Sequence, residues 1–255
     1  AMCNTEFTQT QNMLYAPKKF PDRILLTATT EPAKSIAVSW RTDKTIKHSY
    51  LEYVSEDGTP AIDSNAIRIH GVNKIIKTKN YSALFHKVKI TALKPNTLYS
   101  YRVGDGTYWS EWNQFKTISK LQNKLSFLYF GDAQNEIHSK WSRVIRHAVM
   151  NKNNIDFILF AGDIVNIPTI DKEWGEWFKG AGWIFKNIPV IATAGNHEYK
   201  TKDKTLGDLW NAHFLFPDNG PKDPIFKNTV YYVDYQGIRI ISLNTNLMKN
   251  PSHVA

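Results

Sequence analysis

Three short segments combine a glycine with potential metal ligands, and each follows an apolar run typical of a buried β-strand. They are Gly131-Asp132-Ala133-Gln134, Gly162-Asp163-Ile164-Val165-Asn166 and Gly195-Asn196-His197-Glu198. A single Gly-Asp pair after a strand usually forms a turn in which the Asp caps the next helix. Three such turns indicate a possible metal site. Adjacent parallel strands end about 4.8 Å apart, so their turns can supply ligands to metal ions about 3.5 to 4 Å apart.

Asp132, Asp163 and Asn196 predict an oxygen-rich metal site. Carboxylate and amide oxygens suit Mn, Zn or Fe when imidazoles complete the coordination. Asp163 follows the middle run and is therefore best placed to bridge two ions. A metal pair polarises a phosphoryl oxygen and activates water, and the leaving oxygen then needs a proton. His197 is the candidate proton donor, and the competing interpretation is a structural histidine hydrogen-bonded near the turn.

The elements before residue 118 are predicted to be strands. The β-branched and aromatic segments end near Gly, Pro, Asn or Asp, which is typical of an all-β sandwich or barrel. Along residues 35–40, Ile36, Val38 and Trp40 alternate onto one face, where the Trp can fill the space between two sheets. The predicted strands are Ile24–Thr30, Ser35–Arg41, Ser49–Val54, Ala66–His70, Phe85–Thr91, Ser100–Val103 and Trp112–Thr117.

A turn at Pro95-Asn96 precedes a strand that begins near Tyr99. This arrangement resembles the tyrosine corner of fibronectin-III-like sandwiches, in which the phenol bonds back to the preceding loop.

Beyond Thr117 the hydrophobic pattern changes. Apolar runs alternate with segments of helical periodicity, which predicts a mainly parallel sheet that is buried on both faces and has its sites at the carboxyl ends of the strands. The predicted strands are Leu125–Phe130, Phe157–Ala161, Val190–Ala194 and Ile238–Leu243, and the predicted helices are Trp141–Met150, Lys172–Trp183 and Thr205–His213.

Blocks of the form Gly-Asp, Gly-Asp and Gly-Asn-His-Glu resemble the metallophosphoesterase signature. With a fibronectin-III-like sandwich in front, residues 22 to 245 resemble the purple acid phosphatases and their bacterial relatives. The resemblance implies a tether over residues 1–20, the sandwich over 21–118, and the first half of an αββα-type metallophosphoesterase domain over 122–255. It implies two divalent or trivalent ions (Fe, Zn or Mn), with Asp132 on the first, Asp163 bridging, Asn196 on the second and His197 near the leaving group.

Two residues depart from the family pattern. Purple acid phosphatases carry an iron-binding Tyr three residues after the bridging Asp, where this chain has Asn166. We count Asn166 among the candidate metal ligands and expect no purple colour. Many other metallophosphoesterases have a His two residues after the first Asp, where this chain has Gln134, whose amide oxygen is a weaker ligand than imidazole.

The family also supplies three later His ligands, and neither block that carries them is present in this sequence. His253 matches neither block and is not counted as a ligand. We therefore expect poor metal affinity, weak or absent activity and exposed apolar surface on the strands, as in a fragment. The resemblance nonetheless implies a metal-dependent hydrolase of phosphate esters, monoesters before diesters.

The alternative is a non-catalytic secreted or surface module with a degenerate phosphoesterase scaffold. Trp174, Trp177, Phe178 and Trp183 could form a sugar-stacking platform for it, although such a cluster on a helix is usually core.

Composition restricts the partners. The 255 residues are 42% hydrophobic and 22% charged, and the net charge of +9 suits a phosphorylated small molecule. The basic residues are scattered, so no specific nucleic acid is expected, and no apolar run is long enough to span a membrane. Cys3, the only cysteine, lies before a polar stretch as in a processed bacterial lipoprotein, which predicts an extracytoplasmic location with a possible lipid tether. No oligomeric state is predicted.

Overall fold

The computed structural model describes residues 14–247 except 57, 59–61, 122–123, 153 and 203. Cys3 and His253 lie outside the described residues. The first unit forms two packed sheets, of order β5-β6-β2-β1 and β4-β3-β7-β8, which confirms the predicted sandwich. Its elements are β1 (Asp22–Thr27), β2 (Ile36–Asp43), β3 (Tyr50–Ser55), α1 (Ile62–Asn65), β4 (Ile67–His70), β5 (Val72–Lys77), β6 (Ser82–Ile90), β7 (Leu98–Gly104) and β8 (Asn113–Lys116).

The sandwich core contains the residues that the alternating pattern selects. Ile36, Val38 and Trp40 are all buried in one cluster with Tyr101 of the opposite sheet. The tyrosine corner is also present, because the backbone N–H of Lys94 donates to the Tyr99 hydroxyl over 2.8 Å.

The sequence analysis did not predict β5 or α1. β5 is an edge strand in which Ile76 alone is buried. An edge strand with two largely exposed faces leaves little hydrophobic periodicity in the sequence.

The second unit alternates strands and helices as predicted as far as its last helix, but it ends in a separate antiparallel pair of strands, of which only the second was predicted. β9, β10 and β11 pair in parallel, and β10 lies between the other two. The elements are β9 (Phe127–Phe130), a wide helical turn (Ile137–Trp141), α2 (Ser142–Met150), β10 (Phe157–Phe160), α3 (Asp171–Ala181), α4 (Ile184–Asn187), β11 (Val190–Ala192), α5 (Asp208–His213), β12 (Tyr231–Tyr235) and β13 (Ile238–Ser242).

Burial in the second unit is uneven. Trp174, Trp177 and Phe178 belong to its core, which confirms the core interpretation for them, whereas Trp183 is exposed. The expectation that every strand is buried on both faces is wrong for β9, because Phe127 and Tyr129 are exposed there.

One sheet runs through both units. β1 of the sandwich pairs in parallel with β11, and the N–H of Ala28 donates to the Val190 carbonyl over 3.1 Å. The order β5-β6-β2-β1-β11-β10-β9 makes seven strands. The sandwich is therefore anchored directly to the strand that carries the third turn, while the domain limits 1–20, 21–118 and 122–255 stay predictions.

A buried ion network joins the units a second time. Asp171 at the start of α3 accepts from Arg23 Nη1 and Nη2 over 2.7 and 2.6 Å, and from Arg41 Nη1 over 3.0 Å. The Tyr81 hydroxyl donates to the same carboxylate. The Tyr15 carbonyl, in the segment predicted as a tether, accepts from Arg41 over 2.8 Å.

Candidate metal centre

The first two candidate ligands occupy unusual backbone positions. Asp132 lies in the turn after β9, and Asp163 lies in the turn after β10, with φ values of 54° and 51°. Residues other than glycine adopt this left-handed region at a cost, although Asp tolerates it better than most. Two such residues at neighbouring strand ends are the kind of local strain that clusters at functional sites.

The first turn is hydrogen-bonded to the second through its backbone. The N–H of Asp132 donates to the Gly162 carbonyl over 3.3 Å, and the N–H of Gln134 donates to the Asp163 carbonyl over 3.1 Å. The turns after β9 and β10 therefore converge as the sequence predicts.

Glu198 joins the second turn to the third. Its carboxylate is buried and accepts from four backbone N–H groups. The donors are Gly195 at 2.7 Å, Asp163 and Ile164 at 2.9 Å and Val165 at 3.5 Å. Burial raises the pKa of Glu198 to about 7. The hydrogen bonds from the N–H groups of Gly195, Asp163 and Ile164 lower this pKa, but burial has the larger effect.

The second and third turns are in direct steric contact at their glycines. A Cβ on Gly162, whose φ is +93°, would lie 2.5 Å from the Gly195 nitrogen. A Cβ on Gly195 would lie 2.2 Å from Asp163 Oδ1. Only glycine at both positions allows the two turns to approach this closely.

His197 is held by the second turn. Its N–H donates to Asp163 Oδ1 over 2.9 Å, and its ring Nδ1 lies 2.8 Å from the Asn166 carbonyl. A carbonyl only accepts, so Nδ1 carries the hydrogen and Nε2 is the nitrogen left for a ligand or substrate. The two interpretations of this histidine are therefore compatible, since one nitrogen is structural and the other is available.

Asn166 takes part through its backbone. Its carbonyl receives His197, and its N–H donates to Glu173 Oε2 over 2.7 Å. Burial raises the pKa of Glu173, which also accepts from the N–H of Ile167 over 2.9 Å. A role for the Asn166 side chain as a metal ligand stays a prediction.

The candidate ligands differ in exposure. Asp132 and Asn196 are exposed at the surface of the site, whereas Asp163 and His197 are half-buried. An ion approaching from solvent would therefore meet Asp132 and Asn196 with Asp163 beneath, which is consistent with a central position for Asp163.

The donor chemistry fits hard cations. Among the described residues, no group of three or more His, Cys, Asp or Glu side chains is placed to hold a metal ion, so a metal site here would need amide oxygens as well. Gln134 is a candidate for one, because its buried Oε1 has no hydrogen-bond partner among the described residues. An unsatisfied buried carbonyl is costly, and an ion would satisfy it. Carboxylate and amide oxygens suit Mn²⁺ and similar hard ions.

An open cavity of about 850 Å³ adjoins the third turn. Its lining includes Asn196 and His197 together with the side chains of the segment that follows them. The volume is in the range of small-molecule sites. A substrate in this cavity would contact His197 directly.

Sequence reasoning missed two acidic residues of the site. Glu198 is the last residue of the third block, and its position directly after the candidate proton donor His197 was the available signal. Glu173 lies in the first turn of α3, and its spacing from Asn166 gives no indication that it receives two backbone N–H groups of the second turn.

Comparison with known families supports the resemblance stated from the sequence. The profile of the purple acid phosphatase N-terminal domain matches residues 21–117, and the profile of the calcineurin-like phosphoesterases matches residues 125–251. The two matches follow one another without overlap and together cover most of the chain.

Individual proteins show the same similarity. Purple acid phosphatase 21 of Arabidopsis thaliana is 29% identical over 64% of this chain, and purple acid phosphatase 15 of that plant is 25% identical over 68%. The chain spans only 36% and 37% of their lengths. The structure of a purple acid phosphatase from yellow lupin (Lupinus luteus) seeds matches with a TM-score of 0.67 at 17% identity, over 85% of this chain and 43% of that one. That match shows the shared fold.

Proposed function

Because this chain belongs to the purple acid phosphatase-like metallophosphoesterases, we propose that it hydrolyses phosphate esters at the turns after β9, β10 and β11. Monoesters are the first substrate class and diesters the second. The observation that carries the proposal is the hydrogen-bonded convergence of Asp132, Asp163 and His197 on adjacent turns, with Asn196 beside them at the mouth of a cavity.

Two metal ions complete this proposal. Asp132 and Gln134 would hold the first, Asn196 would hold the second, and Asp163 would contact both. When bound, such ions stabilise charge on a phosphoryl group and activate water. Among the described residues no group of three or more His, Cys, Asp or Glu side chains converges here, so we expect this chain to bind metal weakly and to turn over slowly.

His197 would act on the leaving group. Its hydrogen bond to the Asn166 carbonyl fixes the ring, and the doubly protonated imidazolium would donate its Nε2 proton to the departing oxygen and return to the neutral ring that keeps Nδ1–H. The N–H of His197 also donates to one oxygen of Asp163, so a hydrogen bond joins the candidate proton donor to the candidate central ligand.

If the alternative were correct and the chain were a non-catalytic surface module, we would expect the turns of the site to have lost their specific contacts. Glu198 instead retains four backbone hydrogen bonds, and the steric fit between Gly162 and Gly195 has no purpose in a degenerate scaffold. Three of the four aromatic residues that could stack sugars are buried. We therefore prefer the hydrolase.

We also propose an extracytoplasmic location, based on Cys3 and the polar stretch after it. Within the described residues, no helix is long and apolar enough to cross a bilayer. Lipid attachment at Cys3 stays a prediction.

The test is metal content by elemental analysis, with p-nitrophenyl phosphate hydrolysis measured before and after Mn, Zn or Fe is added. Metal-dependent turnover that is lost in Asp163→Ala supports the proposal. Asp105→Ala is the matched control, because Asp105 lies in the sandwich. Metal binding without turnover at any added metal concentration would favour the alternative.

A further inference from the structure

A short hairpin begins directly after the third turn and reaches over the cavity. Tyr199 and Leu206 pair across its base, and the N–H of Lys200 donates to the Thr205 carbonyl over 2.8 Å. The N–H of Gly207 donates to the Glu198 carbonyl over 2.8 Å. The hairpin is therefore fixed to the residue that orders the candidate metal centre.

The hairpin presents positive charge to the cavity. Lys200, Lys202 and Lys204 all line it, next to Asn196 and His197. No carboxylate belongs to the described part of this lining. The sequence of the hairpin contains one acidic residue, Asp203, against the three lysines.

The three ammonium groups differ in their ion pairs with the described residues. Lys200 Nζ lies 3.2 Å from Asp208 Oδ2, so its charge is partly compensated. Lys202 and Lys204 are exposed and make no ion pair with the rest of the described chain. The backbone of Lys204 is held in place, since its N–H donates to the Lys200 carbonyl over 3.0 Å.

The lining of the cavity also includes apolar side chains. They belong to Ile167, Ile225 and Leu247. A cavity lined by both basic and apolar side chains can orient a ligand that carries negative charge at one side.

We propose that Lys202 and Lys204 form a subsite for a second phosphate group of the substrate. The proposal rests on the proposed function, because the first phosphate would lie at the candidate metal centre. A simple monoester would leave the two ammonium groups unused, whereas a bisphosphorylated compound or a short polyphosphate would engage both. Lysine is suited to this task as a flexible point charge with three donors.

Kinetics with the double variant Lys202→Gln/Lys204→Gln tests this subsite. We expect KM for fructose 1,6-bisphosphate to rise roughly fivefold to thirtyfold, and KM for fructose 6-phosphate to change by less than about twofold. The effect should diminish at high salt, because exposed charges are screened. Lys89→Gln/Lys116→Gln is the control, since it removes the same charge from exposed positions of β6 and β8. Equal changes in KM for both substrates, or no change, would overturn the proposal.

Calorimetry with methylenediphosphonate and methylphosphonate separates the subsite from catalysis. The diphosphonate should bind the wild-type protein more tightly than the monophosphonate does, and the double variant should lose that advantage. This comparison remains decisive if the wild-type protein hydrolyses no ester at all, which would refute the proposed function alone. Equal binding of the two ligands by the wild-type protein would refute the subsite. Tripolyphosphate distinguishes the two classes of ligand. If it binds more tightly than the diphosphonate, the subsite accepts a polyphosphate chain. If the two bind equally, the subsite accepts a small bisphosphorylated compound.

Discussion

Glu198 Oε2 accepts a hydrogen bond from the backbone N–H of Asp163 over 2.9 Å, so the third turn holds the central residue of the second. Among the described residues, this carboxylate is hydrogen-bonded to backbone N–H groups and to no candidate ligand side chain, and it fixes the backbone of Asp163. It is a positioning residue.

Glu198→Gln should weaken both folding and metal binding. The amide can replace one carboxylate oxygen, but its NH₂ group then faces a backbone donor and leaves at least one buried N–H unsatisfied. We expect a loss of about 1–3 kcal/mol in the free energy of unfolding. Mn²⁺ affinity should fall roughly tenfold in calorimetric titration. Glu31→Gln, at an exposed position of the sandwich, serves as the control. Unchanged metal affinity would show that Glu198 is structural only.

Gly195→Ala should displace Asp163, because the new Cβ would lie 2.2 Å from its Oδ1. We expect a destabilisation of about 1–3 kcal/mol from overpacking, measured by chemical denaturation. Gly131→Ala is a control within the site, since a Cβ there would meet its nearest neighbour, Ala161 Cβ, at an ordinary 3.6 Å. Equal stability of the two variants would contradict the close approach of the turns.

His197→Ala should lower kcat, and the size of the loss should depend on the leaving group of the substrate. Loss of a general acid costs about 10²- to 10⁴-fold, and the cost should be greatest for alkyl phosphates, whose leaving oxygen needs the proton most. p-Nitrophenyl phosphate should be affected less. His138→Ala removes an exposed histidine and should have no effect. A uniform loss across leaving groups would assign His197 to binding instead.

Gln134→His should strengthen the first metal position, because imidazole is a better ligand than an amide oxygen. We expect Mn²⁺ or Zn²⁺ to bind roughly tenfold more tightly in calorimetric titration, a gain of about 1.4 kcal/mol. Gln134→Leu should weaken binding, since it removes the buried Oε1 that lacks a partner. If neither variant changes metal affinity, Gln134 is not a ligand.

Asp171→Asn should destabilise the protein by about 3–5 kcal/mol at neutral pH, because the buried Arg23 loses its counter-charge and the buried Arg41 keeps only Asp22. Burial opposes ionisation of Asp171, but attraction to Arg23 and Arg41 and the hydrogen bonds from Arg23 and Tyr81 hold its pKa below the usual range. A lowered pKa stabilises the fold above the unfolded value of about 4, and this contribution is lost as pH falls.

The difference between wild type and Asp171→Asn should therefore shrink below about pH 4, as followed by denaturation across pH. Asp234→Asn breaks an exposed pair with Arg239 and should not change stability measurably. A difference that stays constant with pH would mean that the charge of Asp171 is not what stabilises the fold.

The sequence by itself determined the two-unit organisation and predicted the ligand candidates Asp132, Asp163, Asn166 and Asn196. Alternation along Ile36, Val38 and Trp40 gave one buried face, and a glycine with a polar residue after each apolar run placed Asp132, Asp163 and Asn196 at strand ends. These signals are local, because strand periodicity and turn chemistry are set by residues close together along the chain.

Only the tertiary structure decided what holds those residues. The pairing of β1 with β11, the reach of Glu173 to Asn166 and the buried contacts of Asp171 with Arg23 and Arg41 all join segments distant in sequence. The lysine-lined cavity likewise depends on where the hairpin after Glu198 folds. Such contacts leave no periodic signature, because their partners become neighbours only when the sheet and the helices pack.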